Sequence, residues 1–212
     1  MRKHRAVRQT EGVNVDVKTI EGHEMTPSAA TQKVGRVLRV APAFVGTSVD
    51  ADVGVQTGVV ARYVPSQGRY VIKEVSHAAV RDDVEVNYPT VARVGTQAIV
   101  QIAAPRCIFL TLDDERDPLA TWVSAAELTT KAGRILSPAV AAEVVRRGGS
   151  DARMESIELL YGVAALAGLP PARLIQEELG IPHRTASAWI IAARKAGRLS
   201  GMNYNAGRPA GS

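Results

Sequence analysis

The sequence predicts an α+β protein, with a small antiparallel-sheet domain first and an all-α domain after it. Three observations predict this. Valine and other β-branched residues crowd the stretch from about Val34 to Asp114, as pleated strands favour. After about Gly133 the apolar period lengthens from two to nearly four. From Ser137 onward, proline and glycine punctuate the chain at helical lengths.

The chain has 212 residues, of which 46% are hydrophobic but only 4% aromatic, so its core must be built from Val, Ala, Ile and Leu. That length suits one or two ordinary domains. No apolar run approaches the roughly 18 to 20 residues of a membrane span. The basic opening "MRKHRAVRQTEG" is followed by no apolar stretch, which excludes a secretory signal. A single cysteine, Cys107, excludes an internal disulfide framework and suits the reducing cytoplasm. It reads as a buried strand thiol in "RCIFLTL". The net charge of +5 permits a polyanionic partner without requiring one.

Residues 1–33 mix charge, Ser, Thr and Gly without a period and read as a mobile basic arm. Arg2, Lys3, Arg5 and Arg8 cluster there, either as a solvated tail or as a phosphate-binding arm. An α+β domain is expected over 34–132. "GVVARYVPSQGRYVIKEVSHAAV" is two strand-like runs around Pro65-Ser66-Gln67-Gly68, a β-hairpin signal, with Tyr63, Tyr70, Ile72 and Val75 on its packed surface. "VEVNYP" from Val84 reads as a strand ended by Pro89. "TQAIVQIAAP" reads as a helix capped by Thr96 and stopped by Pro105, with Ala98, Ile99 and Ile102 on one side. "CIFLTLDD" is then a buried strand, and a connector follows whose short helix is capped by Ser124.

A helical domain is expected over 133–200, with a flexible tail over 201–212. Its first helix starts at Ser137 as N-cap and Pro138 at the first helical position, and stops at Gly148-Gly149. The next opens near Asp151, closes at Gly168, and carries Met154, Ile157, Leu160 and Ala164 as an inward stripe. These helices bury their own stripes and are expected to fold without the N-terminal half.

Pro171 opens a helix to about Leu179, with Leu174, Ile175 and Leu179 on its apolar face. Gly180 supplies a left-handed exit turn, Ile181 plugs the corner, and Pro182 starts a second helix through about Lys195. Ala186, Trp189, Ile190 and Ala193 point inward. His183, Arg184, Thr185, Ser187, Ala188, Ile191 and Arg194 point outward.

This layout resembles the helix-turn-helix of DNA-binding regulators, particularly the short helical modules of actinobacterial and actinophage proteins. The residues that carry the resemblance are "LGIPHRTASAWI" and the proline-initiated "GLPPARLIQEE" before it. The chain departs from the pattern at Ala188 and Ala192, where arginines are usual, and at Gln176, where a small residue is usual. The resemblance implies a second helix seated in the major groove, its N-terminal residues on base edges. The expected DNA contacts are His183, Arg184, Thr185, Ser187, Arg194, Lys195 and Arg198, with Arg173 and the amides of Pro171-Ala172-Arg173 at a phosphate. After Glu178 the chain has no acidic residue, which favours a polyanion. Gly207-Arg208-Pro209 resembles the core of a minor-groove arm or is a frayed terminus.

The histidines His4, His23, His77 and His183 have no partners at metal-ligand spacing, and Asp113-Asp114-Glu115 reads as an exposed strand end. No phosphate loop, nucleophile elbow or dinucleotide fingerprint is found, so no enzyme, cofactor or metal is expected. The reading is a cytoplasmic, sequence-specific transcriptional regulator of a phage or mobile element, bound to double-stranded DNA as a homo-oligomer through its N-terminal domain. The alternative is a phage assembly, packaging or architectural adaptor, which the exposed Ile191 and the alanines at 188 and 192 favour. A third reading makes the N-terminal domain an effector pocket.

Overall fold

A computed structural model describes residues 14–92, 95–111, 119–130, 132–146 and 151–204. Arg2, Lys3, Arg5 and Arg8, Asp113-Asp114-Glu115, Gly148-Gly149 and Gly207-Arg208-Pro209 lie outside the described residues.

The fold is α+β, with two antiparallel four-stranded sheets and several helices. The first sheet has the order β1-β4-β5-β6, from β1 (Val15–Lys18), β4 (Ala43–Asp50), β5 (Val55–Val64) and β6 (Arg69–Ala79). The second has the order β2-β3-β7-β8, from β2 (Gln32–Val34), β3 (Leu38–Val40), β7 (Ile108–Leu110) and β8 (Val123–Ser124).

The β5–β6 hairpin forms around Pro65–Gly68 as its turn residues dictate, with Tyr63 opposite Tyr70. Alternation puts Val55, Thr57, Val59 and Ala61 on the buried face. A bulge between Val60 and Ala61 shifts the register, and Val75, expected on the packed surface, is 41% exposed. Tyr70 is buried against Phe44, ring centroids 4.9 Å apart, and donates its hydroxyl to the Ala41 carbonyl at 2.7 Å.

Residues 14–33 are not an arm. Val15 pairs with Ser48 and Val17 with Gly46, both valines are buried, and β2 pairs with β3. The strand is short and its partner is some thirty residues away, so no local period betrays it. Val84 to Asn87 form no strand. Pro89 instead sits in the first turn of α1 (Tyr88–Val91), where a missing N–H costs nothing, and Asn87 caps it by accepting the Thr90 amide at 3.2 Å. In α2 (Thr96–Ala103) the cap is Gly95 without a side-chain bond, and Ile99, Val100 and Ala103 are the buried set rather than Ala98, Ile99 and Ile102. Cys107 is buried in the tight turn before β7, and burial pushes its thiol pKa far up. The Ser124 cap is present on α3 (Ala125–Leu128), as a reciprocal box with Glu127.

Among the described residues four helices follow: α4 (Pro138–Arg146), α5 (Asp151–Ala167), α6 (Pro171–Leu179) and α7 (His183–Lys195). The Ser137 hydroxyl accepts the Val140 amide at 3.3 Å. Helix α5 does not show one inward stripe. Every residue from Ile157 to Ala167 is buried, because strands lie on one side and α6 and α7 on the other.

One contiguous core therefore crosses the expected boundary at 132/133, joining Leu38, Phe44 and Ile108 to Leu160, Leu166 and Ile175. The start of the expected tail is packed too. Met202 is buried, Asn203 N–H donates to the Gly68 carbonyl at 3.3 Å, and Tyr63 hydroxyl donates to the Gly201 carbonyl at 2.7 Å. Among the described residues no helix is long and apolar enough to cross a membrane.

Candidate nucleic-acid interface

The site is built on the corner between α6 and α7. Gly180 ends α6 with φ +64°, a left-handed conformation that costs a residue with a β-carbon roughly 1 kcal/mol or more. Ile181 is buried in the corner, and Pro182, extended, precedes the first turn of α7. Ala186 and Ala193 are fully buried where α7 meets its neighbours. Trp189 is only half-buried; the Arg153 guanidinium lies 4.2 Å from its ring centroid and covers its open face. Arg153 also donates to the carbonyls of Val144 and Val145, so it closes the end of α4 at the same time.

The outward face divides by position. His183 and Arg184, in the first turn of α7, are exposed, and Thr185 and Ser187 are partly so. Arg184 has no ion-pair partner among the described residues. Lys195 is exposed at the other end of α7. Between them Ile191 is 57% exposed, with Ala188 beside it.

Three expected contacts have partners within the fold, and Arg173 and Arg194 among them are still exposed. Arg198 is 8% exposed, 2.8 Å from Asp151 and 3.9 Å from the buried Glu158, so it braces the fold. Arg194 donates to the Tyr161 hydroxyl at 2.7 Å, which turns its guanidinium toward α5. Arg173 pairs with Glu177 at 2.8 Å, and that bond raises its pKa. The amide site at the start of α6 also shrinks. Pro171 has no N–H, and the Arg173 N–H already meets the Pro170 carbonyl at 3.2 Å.

Two glutamates that hold the site in place escape a reading of periods and motifs. Glu158 is fully buried in α5, and one carboxylate oxygen accepts the Arg36 and Val37 amides of the β2–β3 turn. Burial raises its pKa, against the lowering effect of those amides and of Arg198 and Arg36. Glu178, buried in α6, accepts the Ile135 amide at 2.9 Å and the Leu136 amide at 3.0 Å, with Arg134 at 3.9 Å. The signal was present for Glu158: it is the one carboxylate inside the apolar run "IELLYGVAALA".

No protein family, curated protein or solved structure compared with this chain matches it.

Proposed function

We propose that this protein binds double-stranded DNA through the α6–α7 corner and acts as a sequence-specific transcriptional regulator. The observation that carries the reading is the first turn of α7. Two adjacent side chains, His183 and Arg184, stand exposed there behind a left-handed glycine turn, on a segment with no carboxylate after Glu178. A helix entering the major groove reads base edges with its N-terminal residues, and an arginine there donates two hydrogen bonds to a guanine. Thr185 and Ser187 add hydroxyls on the same turns, and Lys195 meets the backbone at the far end.

One such helix reads only a few base pairs, so useful specificity asks for two copies on two half-sites. We assign that role to a homo-oligomer formed through the N-terminal sheets. The reading puts the protein in the cytoplasm, with the DNA of a phage or mobile element as its target.

A second reading has its own observation. Ile191 and Ala188 make the middle of the α7 face more apolar than a groove-reading helix requires. An assembly or architectural adaptor would use that face for a protein contact, or hold DNA without choosing a sequence. Selection of bound duplexes from a random pool, followed by footprinting on the DNA flanking the gene, separates the two. Regulation yields an enriched sequence and a discrete protected site; uniform coating or no binding supports the adaptor.

A further inference from the structure

Charge is distributed unevenly along the sheet. Several stretches carry no side-chain carboxylate, among them residues 25–49, 53–73 and everything after Glu178. The fold brings the β2–β3 turn, the β5–β6 turn and the chain at 200–203, one from each of these stretches, together. Gly35 N–H donates to the Ser200 carbonyl at 3.0 Å, Asn203 N–H donates to Gly68, and Tyr63 reaches Gly201. The β2–β3 turn and the turn of the β5–β6 hairpin thus both rest on the chain leaving α7. The opposite end of the hairpin carries Asp50, Asp52, Asp82, Asp83 and Glu85.

The basic end offers cations that the fold does not consume. Arg62 and Arg69 flank the hairpin turn. Arg62 sits opposite Val71 and Arg69 opposite Val64, which puts both on the face of the sheet away from the buried Ala61 and Tyr70. Neither has an ion pair among the described residues, and the same holds for Arg36, exposed in the β2–β3 turn. Of the carboxylates near this junction, Asp151 pairs with Arg198, and the buried Glu158 faces Arg198 and also interacts with the charge of Arg36. By chain length alone, Asn203 lies at most about 29 Å from Lys195. One turn of duplex is about 34 Å, so the hairpin turn and the Lys195 end of α7 fall within reach of one turn of DNA.

We propose that the DNA-binding surface extends past α7 onto the β5–β6 turn, where Arg62 and Arg69, with Arg36 beside them, take backbone phosphates. This rests on the DNA reading of α7 and adds a second, sequence-independent contact to it. Such contacts fix register and orientation on the duplex and supply counterion-release affinity.

The test uses the full chain, a random 30-bp duplex and the sequence that the wild type enriches, with affinity measured over a range of salt. The double variant R62Q/R69Q is expected to weaken binding to both duplexes by a similar factor, on the order of tenfold at about 0.1 M salt. Its salt slope falls by about two units while the enriched sequence stays the same. Gln67→Glu, which places one negative charge on the exposed turn, is expected to weaken both duplexes several-fold without changing the melting temperature. It serves as the readout if R62Q/R69Q fails to fold. If Arg184→Ala weakens binding while R62Q/R69Q and Gln67→Glu match the wild type in affinity and slope, the hairpin contact is wrong and the α7 reading stands. If the wild type binds no duplex, both fall.

Discussion

The Glu158 carboxylate accepts the Val37 amide at 3.1 Å, across 121 positions of sequence. It ties the central helix to the β2–β3 turn, and the same side chain faces Arg198 just beyond α7. The corner between α6 and α7 is thereby tied to the sheets by a buried carboxyl, not by apolar packing alone. Glu158→Ala leaves two amides and Arg198 without that partner, which typically costs about 3 to 5 kcal/mol. Glu158→Gln keeps an acceptor and is expected to cost less. Thermal melting of both variants checks the order.

The buried carboxyl also sets a pH dependence. Burial raises the Glu158 pKa above its unfolded value, so its contribution to stability is fully present below the unfolded pKa, about 4.5, and is lost as pH rises through the folded pKa. The stability of wild type relative to Glu158→Gln is therefore expected to rise as pH falls from neutral toward 4.5. Denaturant unfolding of both proteins across that range checks the sign; a difference independent of pH contradicts it.

A fragment spanning residues 133–212 is expected to melt without cooperativity. Leu160, Leu166 and Ile175 share one core with Leu38 and Phe44, and the fragment would expose the side of α5 that the strands cover. Circular dichroism and melting of that fragment test this. A sharp cooperative transition would restore the independent helical domain that the sequence suggests.

Gly68 and Gly180 both have positive φ, at +60° and +64°, but their surroundings differ. A β-carbon at Gly68 would collide with the Asn203 backbone nitrogen, whereas at Gly180 nothing lies within 4 Å. Gly180→Ala is expected to cost roughly 1 kcal/mol, the price of the conformation. Gly68→Ala should cost clearly more and free the chain after Leu199, read as a lower melting temperature and faster proteolysis near the C-terminus.

What the sequence shows is local, and what it hides is long-range. The turn Pro65–Gly68, the Ser137-Pro138 start, the Pro170-Pro171 restart and the Gly180 corner each act on neighbouring residues, so they can be read in order. Strand β1 is hidden because its partner, Ser48, lies 33 positions away, and α5 looks one-sided because the strands that cover its other face lie far upstream. At the site, the helix faces were legible from spacing. The engagement of Arg198 with Glu158, and of Arg194 with Tyr161, was not, since each pair meets only in the folded chain.

The first turn of α7 is proposed to read bases. The most direct test is binding of wild type, Arg184→Ala and Lys195→Ala to the enriched duplex and to single-base mismatches at several salt concentrations. Arg184→Ala is expected to cost roughly 1 to 3 kcal/mol and to relax preference at one base position. Lys195→Ala should weaken all sequences alike and lower the salt slope by about one unit. Neither should shift melting by more than about 0.5 kcal/mol in stability, because both side chains are exposed. Equal losses from the two variants, with no base-specific component at Arg184, would contradict sequence reading by this helix.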